Sequence, residues 1–218
     1  RFCIQVYRCY SDGLEQVAAF ATSELNTYQF AWVIAHLAGA YKNSTLNLEV
    51  NGPGQAVINE LKNLKRQAAA MAGDIGRQLM DVYGSMSNYI WRRNDTLGGM
   101  SNSIGWLTTV QTKERMLNYT KDYFERGMMA VYDMETLEEM KTITREGGSI
   151  AASGRNKDDR VIASALACAA YAEQLQPRLI SMKISRQVSK SLEDKTPEEI
   201  AVGRNVSEYL KRIGVYGA

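Results

Sequence analysis

Two hydrophobic patterns follow each other in the first forty residues. Residues 2–10 and 14–20 are rich in aromatic and β-branched side chains, and a short Ser-Asp-Gly segment separates them. This arrangement predicts a β-hairpin. Residues 28–41 place apolar side chains three and four positions apart, which predicts an amphipathic helix packed on the hairpin. Because residue 1 falls directly on a strand, we expect the sequence to begin inside a domain whose first strand lies upstream.

Strands and helices alternate over the next hundred residues. Residues 45–50 predict a short strand with Glu49 at its carboxyl end, and Pro53 and Gly54 begin a helix. A hairpin followed by such an alternation predicts a mixed α/β sheet flanked by helices. The remaining predicted elements are a strand at 88–93, a mobile loop or ribbon at 98–103, a helix at 112–126, a strand at 128–132, a helix at 135–146 and a Gly-containing loop at 149–154.

The last third of the chain begins with an apolar helix over residues 156–169 and becomes polar after it. Residues 185–195 have the composition of a linker. A capping-box pattern at 196–199 then introduces a final helix, which is either a docking element or packed on its own domain. We therefore divide the chain into one α/β domain, residues 1–176, and a C-terminal tail, residues 177–218.

Two adjacent carboxylates, Asp158 and Asp159, lie in the predicted first turn of the 156–169 helix. One interpretation is that they complement the helix dipole, which favours negative charge at an N-terminus by about 0.3–1 kcal/mol. The alternative is that they bind a divalent cation together with another carboxylate. Glu49 is the candidate, since ligands of open α/β sheets bind beyond the carboxyl ends of strands. Mg²⁺ suits such a set because it prefers oxygen ligands and retains several waters.

Composition narrows the chemistry further. With 45% apolar residues among 218, the chain can bury one ordinary core. It has no apolar run of membrane-spanning length and no secretory signal pattern, so we expect a cytosolic protein without a membrane partner. The single histidine, His36, and three cysteines without a C-x-x-C pair argue against zinc sites and Ser-His-Asp catalysis. The net charge of +2 is too small to indicate nucleic-acid binding by itself.

Three motifs carry a family resemblance. They are LNLEVNGPG at 46–54, IGWLTT at 104–109 with Lys113, and NKDDRVIA at 156–163. In this order, after a hairpin and a helix, they resemble the nuclease domain of the large terminase subunits of tailed bacteriophages, and the likeness covers residues 1–176. The resemblance implies an RNase H-like fold. It also implies cleavage of concatemeric double-stranded DNA with two Mg²⁺ or Mn²⁺ ions during viral genome packaging in the host cytoplasm.

The resemblance also implies residue roles. Glu49 would be the acid that bridges the metal ions, and Asp159, with Asp158 beside it, would be the acid on the last helix of the domain. A further acid belongs to an upstream first strand that the 218 residues do not contain, so we expect weaker metal binding by these residues alone. The packaging ATPase domain of the family is likewise outside this sequence, which has no G-x-x-x-x-G-K-[ST] motif.

Basic residues near the acids are candidates for contacts with DNA. Arg155, Lys157 and Arg160 flank the aspartates, and Arg92 and Arg93 provide a second candidate wall. Contacts with phosphates position DNA without reading its sequence, so we expect cleavage with little sequence preference. The alternative is that the basic residues neutralise the aspartates locally, as surface ion pairs worth about 0–1 kcal/mol.

The family resemblance also implies partners. These are double-stranded DNA, the portal protein and the small terminase subunit, with oligomerisation in the packaging motor and a monomeric isolated fragment. Two other functions stay open on the sequence. One is a non-catalytic docking module for DNA or the portal. The other is an RNase H-like resolvase or transposase core, which would use the same carboxylates on a different substrate.

Overall fold

A computed structural model provides the fold. It describes residues 1–41, 44–74, 76–77, 80–81, 92–94, 100–146, 149–152 and 157–186, with backbone only for 92–94, 100–103, 145–146 and 149–152. Arg155 and the helix predicted after residue 195 therefore lie outside the described residues.

The described residues form a mixed α/β structure in which a three-stranded sheet lies among helices. We number the elements in chain order. They are β1 (Phe2–Tyr10), β2 (Gly13–Thr22), α1 (Thr27–Ala40), α2 (Gly54–Ala70), β3 (Arg92–Asn94), β4 (Met100–Ile104), α3 (Val110–Glu125), β5 (Met129–Ala130), α4 (Met134–Lys141), β6 (Ile143–Glu146), β7 (Ser149–Ala152), α5 (Asp159–Ala170), a π-helical turn (Tyr171–Leu175) and α6 (Gln176–Ser181).

The predicted hairpin is confirmed. β1 and β2 pair antiparallel from Phe2 opposite Thr22 to Tyr10 opposite Gly13, and β5 adds to β2 in parallel. The order of the sheet is β1-β2-β5, so β1 is at the edge among the strands that the structure describes. Gly13, the first residue of β2, has a φ of +151° and lies so close to the carbonyl of Met128 that a side chain would not fit.

Helices cover both faces of β1. On one face, the ring of Phe2 stacks on Phe30 of α1 with centroids 4.3 Å apart, as expected for a helix packed on the hairpin. On the other face, the hydroxyl of Tyr7 donates to Ser164 of α5 at 2.9 Å. Successive side chains of a strand point to opposite faces, so one strand joins the two helical layers.

Three clusters form the core. The first joins α1 and α2, the second joins α3 and α5 around Trp106, and the third lies around Tyr171 below β2 and β5.

Capping boxes begin two of the helices: Asn26 pairs with Gln29 in front of α1, and Thr109 pairs with Thr112 in front of α3. Each box satisfies orphan backbone donors of a first helical turn.

Two predicted boundaries are wrong. The helix predicted at 135–146 ends at Lys141, and Ile143–Glu146 instead pairs antiparallel with Ser149–Ala152, within the segment predicted to be a loop. The β-branched run Thr-Ile-Thr at 142–144 favours a strand at this point. For residues 98–103 the sequence left open a mobile loop or a ribbon, and in the described part, from Met100 on, β4 pairs antiparallel with β3 as a ribbon.

The predicted strand at 45–50 is an extended segment outside the three-stranded sheet, and Glu49 forms a parallel bridge with Trp106. At the other end, the predicted boundary after residue 176 falls inside helical structure that continues to Ser181. Residues beyond it pack on the hairpin: Ser11 N donates to Ile184 O at 2.7 Å, and Arg186 pairs with Glu15 at 3.3 Å. The described part of the tail thus lies against the domain.

Within the described part of the chain, no helix combines the length and the apolar character that crossing a membrane requires.

The burial of side chains on α3 predicts how much stability is lost when one of them is shortened to alanine. Met116 is fully buried between α3 and α5, whereas Val110 on the same helix is 73% exposed. Met116→Ala should lower the free energy of unfolding by about 2–5 kcal/mol because it leaves a cavity, and Val110→Ala should change it by less than about 0.5 kcal/mol. Urea unfolding of both variants, compared at equal m-value, tests this. Equal stabilities would contradict the assignment.

The cysteines give a second prediction. Cys3, Cys9 and Cys168 are unpaired, and burial raises the pKa of each thiol to about 12. The thiolate is the reactive form, and a raised pKa keeps it scarce at about pH 8. We expect the folded protein to react with a thiol reagent such as DTNB at least about 100-fold more slowly than the urea-unfolded protein. Rapid reaction of any of the three in the folded state would contradict this.

Candidate functional site

The three predicted acids line a single cleft. The cleft has a volume of about 960 Å³ and lies between β1, α1, residues 44–49 and α5, which lines it from Asp159 to Ala170. Glu49, Asp158 and Asp159 are all among its lining residues, together with Lys113 and Arg1. Acids from two distant parts of the sequence therefore share one concave surface, as the interpretation of a common site requires.

Backbone pairing holds the segment that carries Glu49. The amide of Val50 donates to the carbonyl of Trp106 at 2.8 Å, and the amide of Trp106 donates to the carbonyl of Leu48 at 2.7 Å. The side chain of Trp106 is 1% exposed and packs in the cluster between α3 and α5. The position of Glu49 is thus tied to the buried core, although its own segment is only partly buried.

Two glycines make this close pairing possible. Gly105 has a φ of +84°, and a side chain there would approach Leu48 O to 2.7 Å. Gly54, the first residue of α2, passes so near the carbonyl of Glu49 that a Cβ would overlap it. The Asn-Gly-Pro-Gly motif after Glu49 therefore has a steric function: it lets the chain turn tightly beside the acid and start a helix.

Two asparagines, for which the sequence suggested no role, fix the same segment. Asn51 forms a pair of hydrogen bonds with the backbone of Thr108, donating to its carbonyl and accepting from its amide, both at 2.8 Å. Asn47 donates to the carbonyl of Leu166 in α5 at 2.8 Å. The only signal for them was their presence on either side of Glu49. Their partners are distant in sequence and could not be identified from it.

Cations accompany the two aspartates at the start of α5. Asp158 is the N-cap residue, makes no side-chain capping bond, and accepts from Lys113 Nζ at 3.1 Å. Asp159 pairs with Arg1 Nε at 3.4 Å. Both carboxylates lie at the positive end of the helix dipole and each has a basic partner. These contacts partly offset the repulsion among the acids of the cleft.

Arg160 has a structural environment that differs from the predicted one. Its side chain is only 10% exposed and is surrounded by three carboxylates: Asp133 at 3.1 Å, Glu139 at 3.7 Å, and Glu135. Its backbone amide also donates to Glu139 at 2.8 Å. Because its guanidinium faces these acids inside the protein, Arg160 is not placed to contact a DNA phosphate, and we correct that assignment.

The other basic residues that were predicted to contact DNA lie in different parts of the structure. Lys157 is exposed immediately before α5. Arg92 and Arg93 form β3 in the β3-β4 ribbon, where only the backbone is described. Arg155 lies outside the described residues. His36 is exposed on α1 beside Trp32, with ring centroids 5.7 Å apart.

The carboxylates of the cleft are ligands that suit a hard divalent cation, but the described acids do not form a complete metal-binding site. Carboxylate oxygens are the ligands that Mg²⁺ and Mn²⁺ prefer. Among the residues that the structure describes, however, no three His, Cys, Asp or Glu side chains lie close enough together to hold a metal ion. Glu49, Asp158 and Asp159 thus share a cleft without forming a three-ligand cluster on their own.

Comparison of the chain with protein-family models and with curated proteins gives no match in either case. The family resemblance therefore depends on the motifs of the sequence itself.

The close approach of Gly54 to Glu49 gives a prediction for the site. Alanine is the better helix former by about 1 kcal/mol, yet Gly54→Ala should lower the free energy of unfolding by about 1–3 kcal/mol because its Cβ must displace the Glu49 backbone. Gln55→Ala, at the next and exposed position of α2, is the control and should be near neutral. Urea unfolding measures both. Stabilisation by Gly54→Ala would show that the two backbones are not in contact.

Proposed function

We propose that this chain is the core of a metal-dependent DNA endonuclease of the RNase H-like class, related to the nuclease domain of phage terminases. One observation carries the proposal: Glu49, Asp158 and Asp159 line the same cleft. Carboxylates gathered in this way suit phosphodiester hydrolysis by water, which needs neither a histidine nor a nucleophilic side chain. The motifs around Glu49 and Asp158 support the same class.

The residues of the cleft have distinct parts in this proposal. Glu49 and Asp159, with Asp158, would hold Mg²⁺ or Mn²⁺, which supplies charge stabilisation for the attacking water and the leaving oxygen. Lys113 keeps Asp158 in place through their 3.1 Å contact. Trp106, Gly54 and Asn51 hold the backbone of Glu49. Double-stranded DNA would lie along the cleft, with Lys157 as a candidate phosphate contact.

The incomplete acid cluster favours a second candidate. Because the described residues gather no three-ligand group, the same surface would also suit a docking module that binds DNA or a portal-type partner without cutting. Such a module would bind DNA through phosphate contacts and lose affinity steeply as salt rises. Cleavage therefore has to be measured separately from binding.

Plasmid cleavage in Mn²⁺ separates the two candidates. We propose to assay the 218-residue chain beside the full product of the gene that encodes it. The full product should nick and linearise the plasmid. Glu49→Gln and Asp159→Asn should each lower its cleavage rate at least about 100-fold. Removing one group that stabilises the charge developing in a transition state typically has an effect of this size.

Glu125→Gln on α3 is the matched control, because it removes an acid whose side chain is 64% exposed and pairs with Lys121 on its own helix. Its rate should equal that of the parent. If Glu49→Gln cuts as fast as the parent, the nuclease mechanism is wrong. Salt-sensitive DNA binding by both forms, without cleavage in any divalent metal, would identify the docking module instead.

A further inference from the structure

Helix α5 begins without a cap from its own N-cap residue. The N-cap residues of α1, α3 and α4 are Asn26, Thr109 and Asp133, and the side chain of each accepts from a backbone amide of the first helical turn. Asp158, the N-cap residue of α5, makes no such bond. Because the first amides of a helix have no acceptor within that helix, α5 needs an acceptor from another element.

The backbone of Asp158 explains why its side chain does not cap. Its ψ of 11° differs from the extended values of 173°, 174° and 114° at the N-cap residues of α1, α3 and α4. A capping side chain reaches the amides of its helix from a β-region backbone. The carboxylate of Asp158 instead accepts from Lys113 Nζ at 3.1 Å, and Asp158 lines the cleft. The side chain that normally caps a helix is thus used at the acidic site.

Glu139 of α4 supplies the missing acceptor. Its Oε2 atom accepts from the backbone amide of Arg160, the second residue of α5, at 2.8 Å. An N-cap side chain bonds to the amide of the second or third helical residue, so Glu139 satisfies a donor that a cap would satisfy. Its negative charge also complements the dipole of α5. The side chain of Glu139 is 13% exposed, so water has little access to this contact.

The other oxygen of Glu139 connects the cap to the cleft. Oε1 accepts from Arg1 Nη2 at 2.6 Å, and Arg1 Nε lies 3.4 Å from Oδ2 of Asp159. The same Oε1 lies 3.7 Å from Nε of Arg160. One carboxylate therefore contacts the backbone of α5, a side chain of its first turn, and the arginine that pairs with Asp159.

The neighbours of Glu139 on α4 hold it in place. Thr136, which is fully buried one turn earlier, accepts from Gln5 Nε2 of β1 at 2.9 Å. Met140, the next residue after Glu139, packs against the second and third core clusters. Because α4 is fixed to both the sheet and the core, Glu139 has a defined position in front of α5.

We propose that Glu139 is a positioning residue of the acidic site. It caps α5 in place of Asp158, so the carboxylates of Asp158 and Asp159 face the cleft and stay available to a cation. The capping role stands on the contacts described above, whereas its effect on metal binding rests on the proposed function. Residues that orient metal ligands from behind typically change metal affinity by about 10–100-fold when they are removed.

Hydrogen exchange measured by NMR tests the capping role without an assay of activity. In Glu139→Ala, the amide of Arg160 should exchange at least about tenfold faster than in the parent, because it loses its acceptor. The amide of Leu166, in the interior of α5, should keep its parental rate, which shows that the helix remains folded. An unchanged rate at Arg160 in Glu139→Ala would overturn the capping role.

The matched control is Glu138→Ala. Glu138 is the preceding residue of α4, its side chain is 61% exposed, and it pairs with Lys141 on the same helix. This variant should leave the Arg160 amide at the parental rate. Glu139→Gln keeps an oxygen that can accept from this amide, so its effect should lie between those of Glu139→Ala and the parent. If Glu139→Ala unfolds α5, the shift in Glu139→Gln decides, with the same sign expected.

The Mn²⁺ dependence of plasmid cleavage by the full gene product tests the positioning role. Glu139→Ala should raise the Mn²⁺ concentration for half-maximal cleavage at least about tenfold, and the rate at saturating Mn²⁺ should fall by a smaller factor. A change that only destabilised the fold would lower the saturating rate without moving the Mn²⁺ midpoint. Glu138→Ala should have the midpoint of the parent.

The outcomes distinguish this inference from the proposed function. An unchanged Mn²⁺ midpoint in Glu139→Ala, in a protein that cuts DNA, would overturn the positioning role and leave the nuclease intact. Absence of cleavage by the parent would refute the nuclease and the positioning role together. In that case the exchange rate of the Arg160 amide still decides whether Glu139 caps α5.

Discussion

The backbone pairing of residues 48–50 with Trp106 is the constraint on which the site depends. It connects a partly buried acidic segment to a tryptophan packed in the core between α3 and α5. Gly105 and Gly54 allow the approach, and Asn51 closes it with two hydrogen bonds to Thr108. Together with the hydrogen bond from Asn47 to Leu166, this pairing fixes Glu49 relative to the aspartates at the start of α5.

Electrostatics then decides how the acids can share one cleft. Like charges raise each other's free energy, and the effect grows where solvent is partly excluded. Lys113 pairs with Asp158, and Arg1 pairs with Asp159. A separate buried cation, Arg160, pairs with acids of α4 and with the N-cap residue of that helix, Asp133. The carboxylates thus form two groups, and Arg1 contacts both of them, because its guanidinium pairs with Glu139 at 2.6 Å and with Asp159 at 3.4 Å. Of these two groups, the first faces the cleft and remains accessible to a ligand.

Local patterns predicted much of the fold. Alternation and turn residues identified the β1-β2 hairpin, and three-and-four periodicity identified α1, α3 and α5, because each signal arises within a few neighbouring residues. The position of Glu49 at a predicted strand end and of Asp158 and Asp159 at a helix start led us to expect the three acids at one rim of the sheet. They line one cleft, but among the described residues no three acids form a metal-binding group. The helix at 135–146 was overextended because charged residues continue past Lys141, while the competing signal was only the short β-branched run at 142–144.

Contacts between distant residues could not be predicted. Arg160 has the same local sequence whether it faces DNA or the carboxylates of α4, which lie far earlier in the chain. The partners of Asn47 and Asn51 depend in the same way on how α5 and the Trp106 segment pack. The edge position of β1 likewise follows from the arrangement of the whole sheet, and no pattern within residues 2–10 encodes it.

The most direct test of the common acidic cleft is a crystal structure of the protein grown with Mn²⁺ and a short DNA duplex, with anomalous scattering used to locate the manganese. Our account predicts an anomalous peak in the cleft, with carboxylate oxygens of Glu49 and Asp159 at about 2.0–2.2 Å, the distance range typical of such ligands. Manganese bound at any other surface, with none beside Glu49 at saturating concentration, would contradict it.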